Sequence, residues 1–151
     1  MNYRLLTEQF RKCAADIRFE SGVLSTAAAI LMTQLPQLNW AGFYYADGDR
    51  LYLGPFSGKP ACIEIPMGKG VCGTCAKEET TQLVPDVHQF KGHIACDSAS
   101  QSEIVIPVYK NGALYAVMDI DSPVLNRFDE ADKEGLEAFA AAVESVIVQK
   151  V

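Results

Sequence analysis

The chain has 151 residues, 49% of them hydrophobic, which suits one globular domain, 1–151, with a core of its own. Its 19 acidic side chains outnumber 13 basic ones, and a net charge of −6 argues against nucleic acid as a partner, because no extended phosphate-binding surface is available. No run approaches the roughly 18 apolar residues of a membrane span, and five cysteines, an odd number in a chain large enough to fold without staples, point to reduced thiols in a soluble, cytoplasmic protein.

In chain order, apolar residues at Leu5, Leu6, Phe10, Cys13, Ala14 and Ile17 fall at helical spacing and predict a helix over 3–20, with Cys13 on its apolar face. Ser21 then suits the N-cap of a second helix over 23–35. "NWAGFYYADGDRLYLGPF" reads as two strands around Asp47-Gly48-Asp49, where glycine tolerates the positive φ of a tight turn. "ACIEIP" is a third strand carrying Cys62, residues 71–79 form a short helix, and "TQLVPD" is a fourth strand. A polar stretch over 86–102 follows, long for a loop. "EIVIPVYKNGALYAVMDIDS" is a second hairpin turning at Asn111-Gly112, and "FDEADKEGLEAFAAAVESVIVQK" is a closing amphipathic helix with Asp129 placed to cap it. This order predicts an α+β fold. A mostly antiparallel sheet of about six strands carries the terminal helices on one face and leaves the long loop free to close over the other.

Cys72, Cys75, His88 and His93 fit the zinc-finger spacing C-x2-C-x12-H-x4-H. A finger also needs apolar residues inside the x12 segment and both histidines on one helix. The corresponding positions are Glu79 and Pro85, while Pro85 and Gly92 interrupt a helix that would carry the histidines. A self-contained redox couple at Cys72 and Cys75 would need the motif directly after a core strand, whereas "PMGKG" reads as a loop. His88 and His93 are taken as structural. Gly68, Gly70 and Gly73 lack the lysine and serine of a phosphate-binding loop.

Four segments, "NWAGFYY", "LGPFSGKPACIEIPMGKGVCGTC", "LVPDVHQFKGHIACDSASQSEIVIPV" and "MDIDSPVLNRFDEAD", together resemble the free methionine-R-sulfoxide reductase family, a branch of the GAF-domain fold. The resemblance is collinear from about Asn39 to Asp132. It implies that Cys96 is the nucleophile, Cys62 the favoured resolving thiol and Cys72 a second one. Cys75 departs from the family pattern, which more often has a small residue there. By the same resemblance, Glu103, Asp119 and Asp121 bind the substrate, with Trp40 and Tyr44 as an aromatic wall. The substrate would be free methionine sulfoxide and the external reductant thioredoxin or a similar dithiol. Neither a metal nor a bound organic cofactor is implied, and pairing into a homodimer is left open.

The residues themselves give partial support. Reducing a sulfoxide with a thiol calls for a thiolate, a proton for the departing oxygen and a second thiol to resolve the sulfenic acid. Asp119 and Asp121 are two apart on a strand and share a face, as Trp40 and Tyr44 do at a separation of four. Glu103 opens the strand that the Asn-Gly turn pairs with "ALYAVMDID", so the three carboxylates are expected close together, with at least one pKa raised. The alternative is a GAF-type sensor that binds a small ligand or reports redox state, since that fold alone does not fix function. A zinc-binding interaction domain is a third reading.

Overall fold

The computed structural model describes residues 1–94, 96 and 98–151. Six strands, β1 (Trp40–Asp47), β2 (Arg50–Gly58), β3 (Glu64–Pro66), β4 (Gln82–Val84), β5 (Ser102–Lys110) and β6 (Ala113–Ser122), form one sheet. Their order is β3-β2-β1-β6-β5-β4, and every neighbouring pair is antiparallel. Among the described residues four α-helices accompany them, α1 (Tyr3–Ala14), α2 (Glu20–Gln34), α3 (Gly70–Glu78) and α4 (Glu130–Ile147), with a short 3-10 turn at Val87–Gln89.

Strand alternation sorts the sheet into two cores. Ala41, Phe43, Ile104, Ile106, Val108, Ala116, Met118 and Ile120 pack with the buried stripes of α1, α2 and α4, including Leu6, Phe10, Leu24, Leu31, Leu136 and Phe139. The opposite face buries Trp40, Tyr44, Val105 and Val117 against Val71, Cys72 and Cys75 of α3. The terminal helices thus hold one face, while α3 and described residues of the 86–102 stretch, Val87, Phe90 and Ile94 among them, cover the other.

Both hairpins turn where glycine makes it cheap. Gly48 has φ 62°, and Asn111 and Gly112 have φ 54° and 81°, so both central residues of the second turn are left-handed, as a two-residue hairpin of type I′ requires. The ladder that leaves this turn contains one register shift between Val108 and Tyr109. Tyr109 pairs with Leu114 but Val108 pairs with Ala116, so Tyr115 is the extra residue of a bulge. Beyond it Glu103 stands opposite Asp121. Without it Glu103 would meet Ile120, whose side chain lies in the helix-side core, and the carboxylate would face the wrong way.

Several local expectations need correction. The first helix ends at Ala14, and α2 starts at Glu20 with Phe19 as N-cap, so Ser21 lies inside the helix. Ile17 sits in the connection over Gly22, where a Cβ would come within 2.8 Å of its side chain; docking α2 onto the sheet overrides the continuing periodicity. Cys13 is exposed, because the buried stripe of α1 runs through Leu6, Phe10 and Ala14 at intervals of four. Cys62 precedes β3 rather than lying within it. Asp129 does cap α4, in a reciprocal capping box with Asp132.

Candidate active site

Three adjacent strands build the floor of the site. On β6, Asp119 and Asp121 point to the α3 side of the sheet; Asp121 is opposite Trp40 of β1 and Glu103 of β5, and Asp119 is opposite Gly42 and Val105. Glu103, Asp119 and Asp121 are all buried. Gly42 is required here, since a Cβ would be 2.8 Å from the Trp40 ring and closer still to the Phe56 Cβ. Its absence lets Trp40 stack on Phe56 at 5.4 Å and on Tyr44 at 5.9 Å between centroids. Trp40 Nε1 donates to the Lys59 carbonyl at 3.1 Å and the Tyr44 hydroxyl donates to the Cys62 carbonyl at 2.9 Å. Both rings are therefore fixed, and Tyr44 is tied to the segment that bears Cys62.

Helix α3 forms one wall. Cys72 Sγ lies 4.0 Å from Glu103 Oε2, while Cys75 Sγ, one turn on, points to the Val105 carbonyl at 3.5 Å. The second wall is the 86–102 segment. Its Gly92 carbonyl accepts from Gly70 N–H at 3.2 Å, and Ile94 packs where a Gly70 side chain would stand. Cys96 is joined to Cys62 by a disulfide with Cα atoms 5.4 Å apart.

The pocket between these walls has a volume of about 30 Å³ and is lined by Tyr44, Cys72, Cys96, Glu103, Asp119 and Asp121 among the expected residues. Trp40 stands behind Tyr44, and Cys62 reaches the space through its bond to Cys96. Lys69, His93 and Ser100 also line it, and none was singled out for this role from sequence. Lys69 could have been noticed between the two glycines of "GKG", where it stands at the N-cap position of α3 without a side-chain capping bond.

Crowded carboxylates dominate the electrostatics. Burial, then the charges of Asp119 and Asp121, push the Glu103 carboxyl well above the usual glutamate range. Burial and the same acidic neighbours push the Cys72 thiol well up. Burial first, then Asp119 and Glu78, raises Cys75. His93 is lowered by burial and by His88. The site therefore holds a carboxyl and two buried thiols that all retain their protons to higher pH than in water, with Asp119 Oδ1 buried and lacking a hydrogen-bond partner among the described residues. The zinc-finger spacing does not assemble. Cys75 turns toward β5, and exposed His88 contacts Asp86 at 3.2 Å.

Residues 21–147 match the GAF domain family. The free methionine-R-sulfoxide reductase of Escherichia coli is 44% identical over 145 residues, covering 96% of this chain and 88% of that protein. The chain belongs to the free methionine-R-sulfoxide reductase family of GAF-domain proteins. The structure of fRMsr of Staphylococcus aureus in its reduced form superposes with a TM-score of 0.92 at 50% identity, covering 97% of this chain and 95% of that one. The Neisseria meningitidis reductase in complex with its substrate gives 0.92 at 39% identity, covering 96% and 87%. A family member with these relatives has the GAF fold expected from its sequence. Its Cys62–Cys96 bond is the pairing that the resemblance implies.

Proposed function

We propose that this protein reduces free L-methionine (R)-S-oxide to methionine, with Cys96 as nucleophile. The observation that carries the reading is the Cys62–Cys96 disulfide at a pocket floored by three buried carboxylates. The Cys96 thiolate attacks the sulfoxide sulfur, Glu103 supplies the proton that the oxygen takes up, and methionine leaves as oxygen passes to Cys96 as a sulfenic acid. The Cys62 thiol displaces that oxygen as water, forming the disulfide. An external dithiol such as thioredoxin then accepts the oxidation and returns both thiols. Cys72 is a reserve resolving thiol, held back by its scarce thiolate.

The amino-acid ammonium is held by the carboxylates, Asp119 and Asp121 foremost, and the methyl group by Trp40 and Tyr44. Preference for the R epimer is carried over from the relatives. A cavity of about 30 Å³ has room for little more than water, so the disulfide form is the state after turnover, and reduction of the Cys62–Cys96 bond precedes substrate entry. The catalytic unit is the single domain 1–151, working in the reducing cytoplasm where the dithiol reductant is available.

The test is NADPH consumption in a thioredoxin-coupled assay with free R-sulfoxide, free S-sulfoxide and an R-sulfoxide blocked at its amino group. Turnover of the free R form alone, lost in Cys96→Ser, is expected. No turnover of any form by folded, reduced protein would leave a GAF-type sensor as the better account.

A further inference from the structure

The main route of the proposed chemistry runs through Cys96 and Cys62, and keeps the buried Cys72 thiol only in reserve, beside two carboxylates of the substrate pocket. Ligand atoms of Cys72, Glu103 and Asp119 all lie within 4.8 Å of one another, and the three residues are buried. They come from three elements, α3, β5 and β6, held together by the sheet register and by α3 packed against it. Asp119 Oδ1 has no hydrogen-bond partner among the described residues, although the residue is only 5% exposed and lines the pocket.

We propose that Cys72, Glu103 and Asp119 form a binding site for a thiophilic divalent cation, Zn²⁺, whose occupancy blocks the pocket. Thiolate and carboxylate are both zinc ligands, with metal–sulfur distances of about 2.3 Å and metal–oxygen distances of about 2.0–2.2 Å, and three protein ligands leave a fourth position for water. Donors at those distances in a tetrahedron stand about 3.5 Å apart, close to the 4.0 Å between Cys72 Sγ and Glu103 Oε2. Modest side-chain rotation closes the gap, and the cavity of about 30 Å³ takes an ion with a water in the fourth position. Binding displaces the Cys72 thiol proton, and that of Glu103 where present, to solvent; no electrons move. The hard cations Mg²⁺ and Ca²⁺ are disfavoured because they require an oxygen shell.

This site is distinct from the C-x2-C/H-x4-H spacing, since neither Cys75 nor a histidine contributes. It shares Glu103 and Asp119 with the proposed ammonium pocket, so the expected competition with substrate rests on that reading, whereas metal binding does not.

The test uses the full chain carrying Cys13→Ser, Cys62→Ser and Cys96→Ser, which cannot turn over and retains only Cys72 and Cys75. Titration with Co²⁺ should give an equimolar complex with a thiolate-to-cobalt charge-transfer band in the near ultraviolet, and Zn²⁺ should abolish that band. Adding Cys75→Ser should preserve it, Cys72→Ser should remove it, and Asp119→Asn should weaken binding about tenfold or more. Absence of the band in folded protein, or its survival in Cys72→Ser, overturns the proposal. Excess free methionine R-sulfoxide should displace the metal. A band that depends on Cys72 yet resists the sulfoxide supports the metal site and counts against the substrate reading.

Discussion

Glu103 and Asp121 face each other directly across the β5–β6 ladder, both side chains buried on the pocket side of the sheet. Opposed like charges in a sheet are destabilising, and burial adds the cost of desolvating each ionised group. The protein keeps this arrangement at its centre, where a single apolar pair would be more stable, and the cost is met elsewhere in the fold.

Glu103→Gln should therefore stabilise the protein while impairing it. The folded state holds the Glu103 proton to higher pH than the unfolded chain does, so stability falls as pH rises from the ordinary glutamate value of 4.5 toward the folded value. The substitution removes that fall. Its melting temperature should exceed that of the wild type by a margin wider at about pH 8 than at about pH 5. Turnover should drop about a hundredfold, the usual scale for losing a general acid. A margin independent of pH would contradict the raised pKa.

The Cys62–Cys96 bond closes a sequence separation of 34. Chain-entropy reasoning gives a stabilisation of about 4 kcal/mol for a loop of that length. Urea unfolding of oxidised protein with and without dithiothreitol should show a decrease approaching that size. Cys96→Ser should unfold identically under both conditions.

Gly42→Ala should disturb the aromatic wall without touching a polar group. The added methyl meets Trp40 and Phe56, and overpacking of this kind costs about 1–3 kcal/mol. Trp40 is the sole tryptophan, so its emission should shift to the red as the ring moves toward water, alongside a higher KM for the sulfoxide. An unchanged spectrum would mean that the β1–β2 pairing absorbs the methyl.

The three free thiols should separate cleanly in a labelling experiment. In the disulfide form, Cys13 is exposed, whereas Cys72 and Cys75 are buried with their thiols pushed up. A thiol reagent near pH 7 should consume one equivalent rapidly and two more only after denaturation. Cys13→Ser should remove the fast phase alone.

Much of the architecture was legible because glycine and asparagine mark the turns and the strands alternate. The Asn111-Gly112 turn announces the β5–β6 hairpin, and two-residue spacing places Asp119 and Asp121 on one face. The placement of Glu103 was harder. Counting back from the turn gives it the wrong partner, and the bulge at Tyr115 that restores it has no mark in the local sequence. Cys62 was assigned to a strand because "ACIEIP" alternates, but β3 pairs only from Glu64 to Pro66 at the sheet edge. Lys69 and His93 were missed because they reach the pocket only when α3 and the 86–102 segment fold against each other, a tertiary closure that periodicity does not encode.

The central position of β1 and β6 also governs the history of the molecule. Trp40 pairs with Asp121, so the pocket floor does not exist until the chain has been made past β6. Until then Cys62, Cys72, Cys75 and Cys96 all belong to a segment with no completed sheet to shelter them. Such non-local pairing folds slowly. During synthesis an oxidant reaching the nascent chain would therefore meet four unsorted thiols, and the Cys62–Cys96 bond is only one of six pairings open to them.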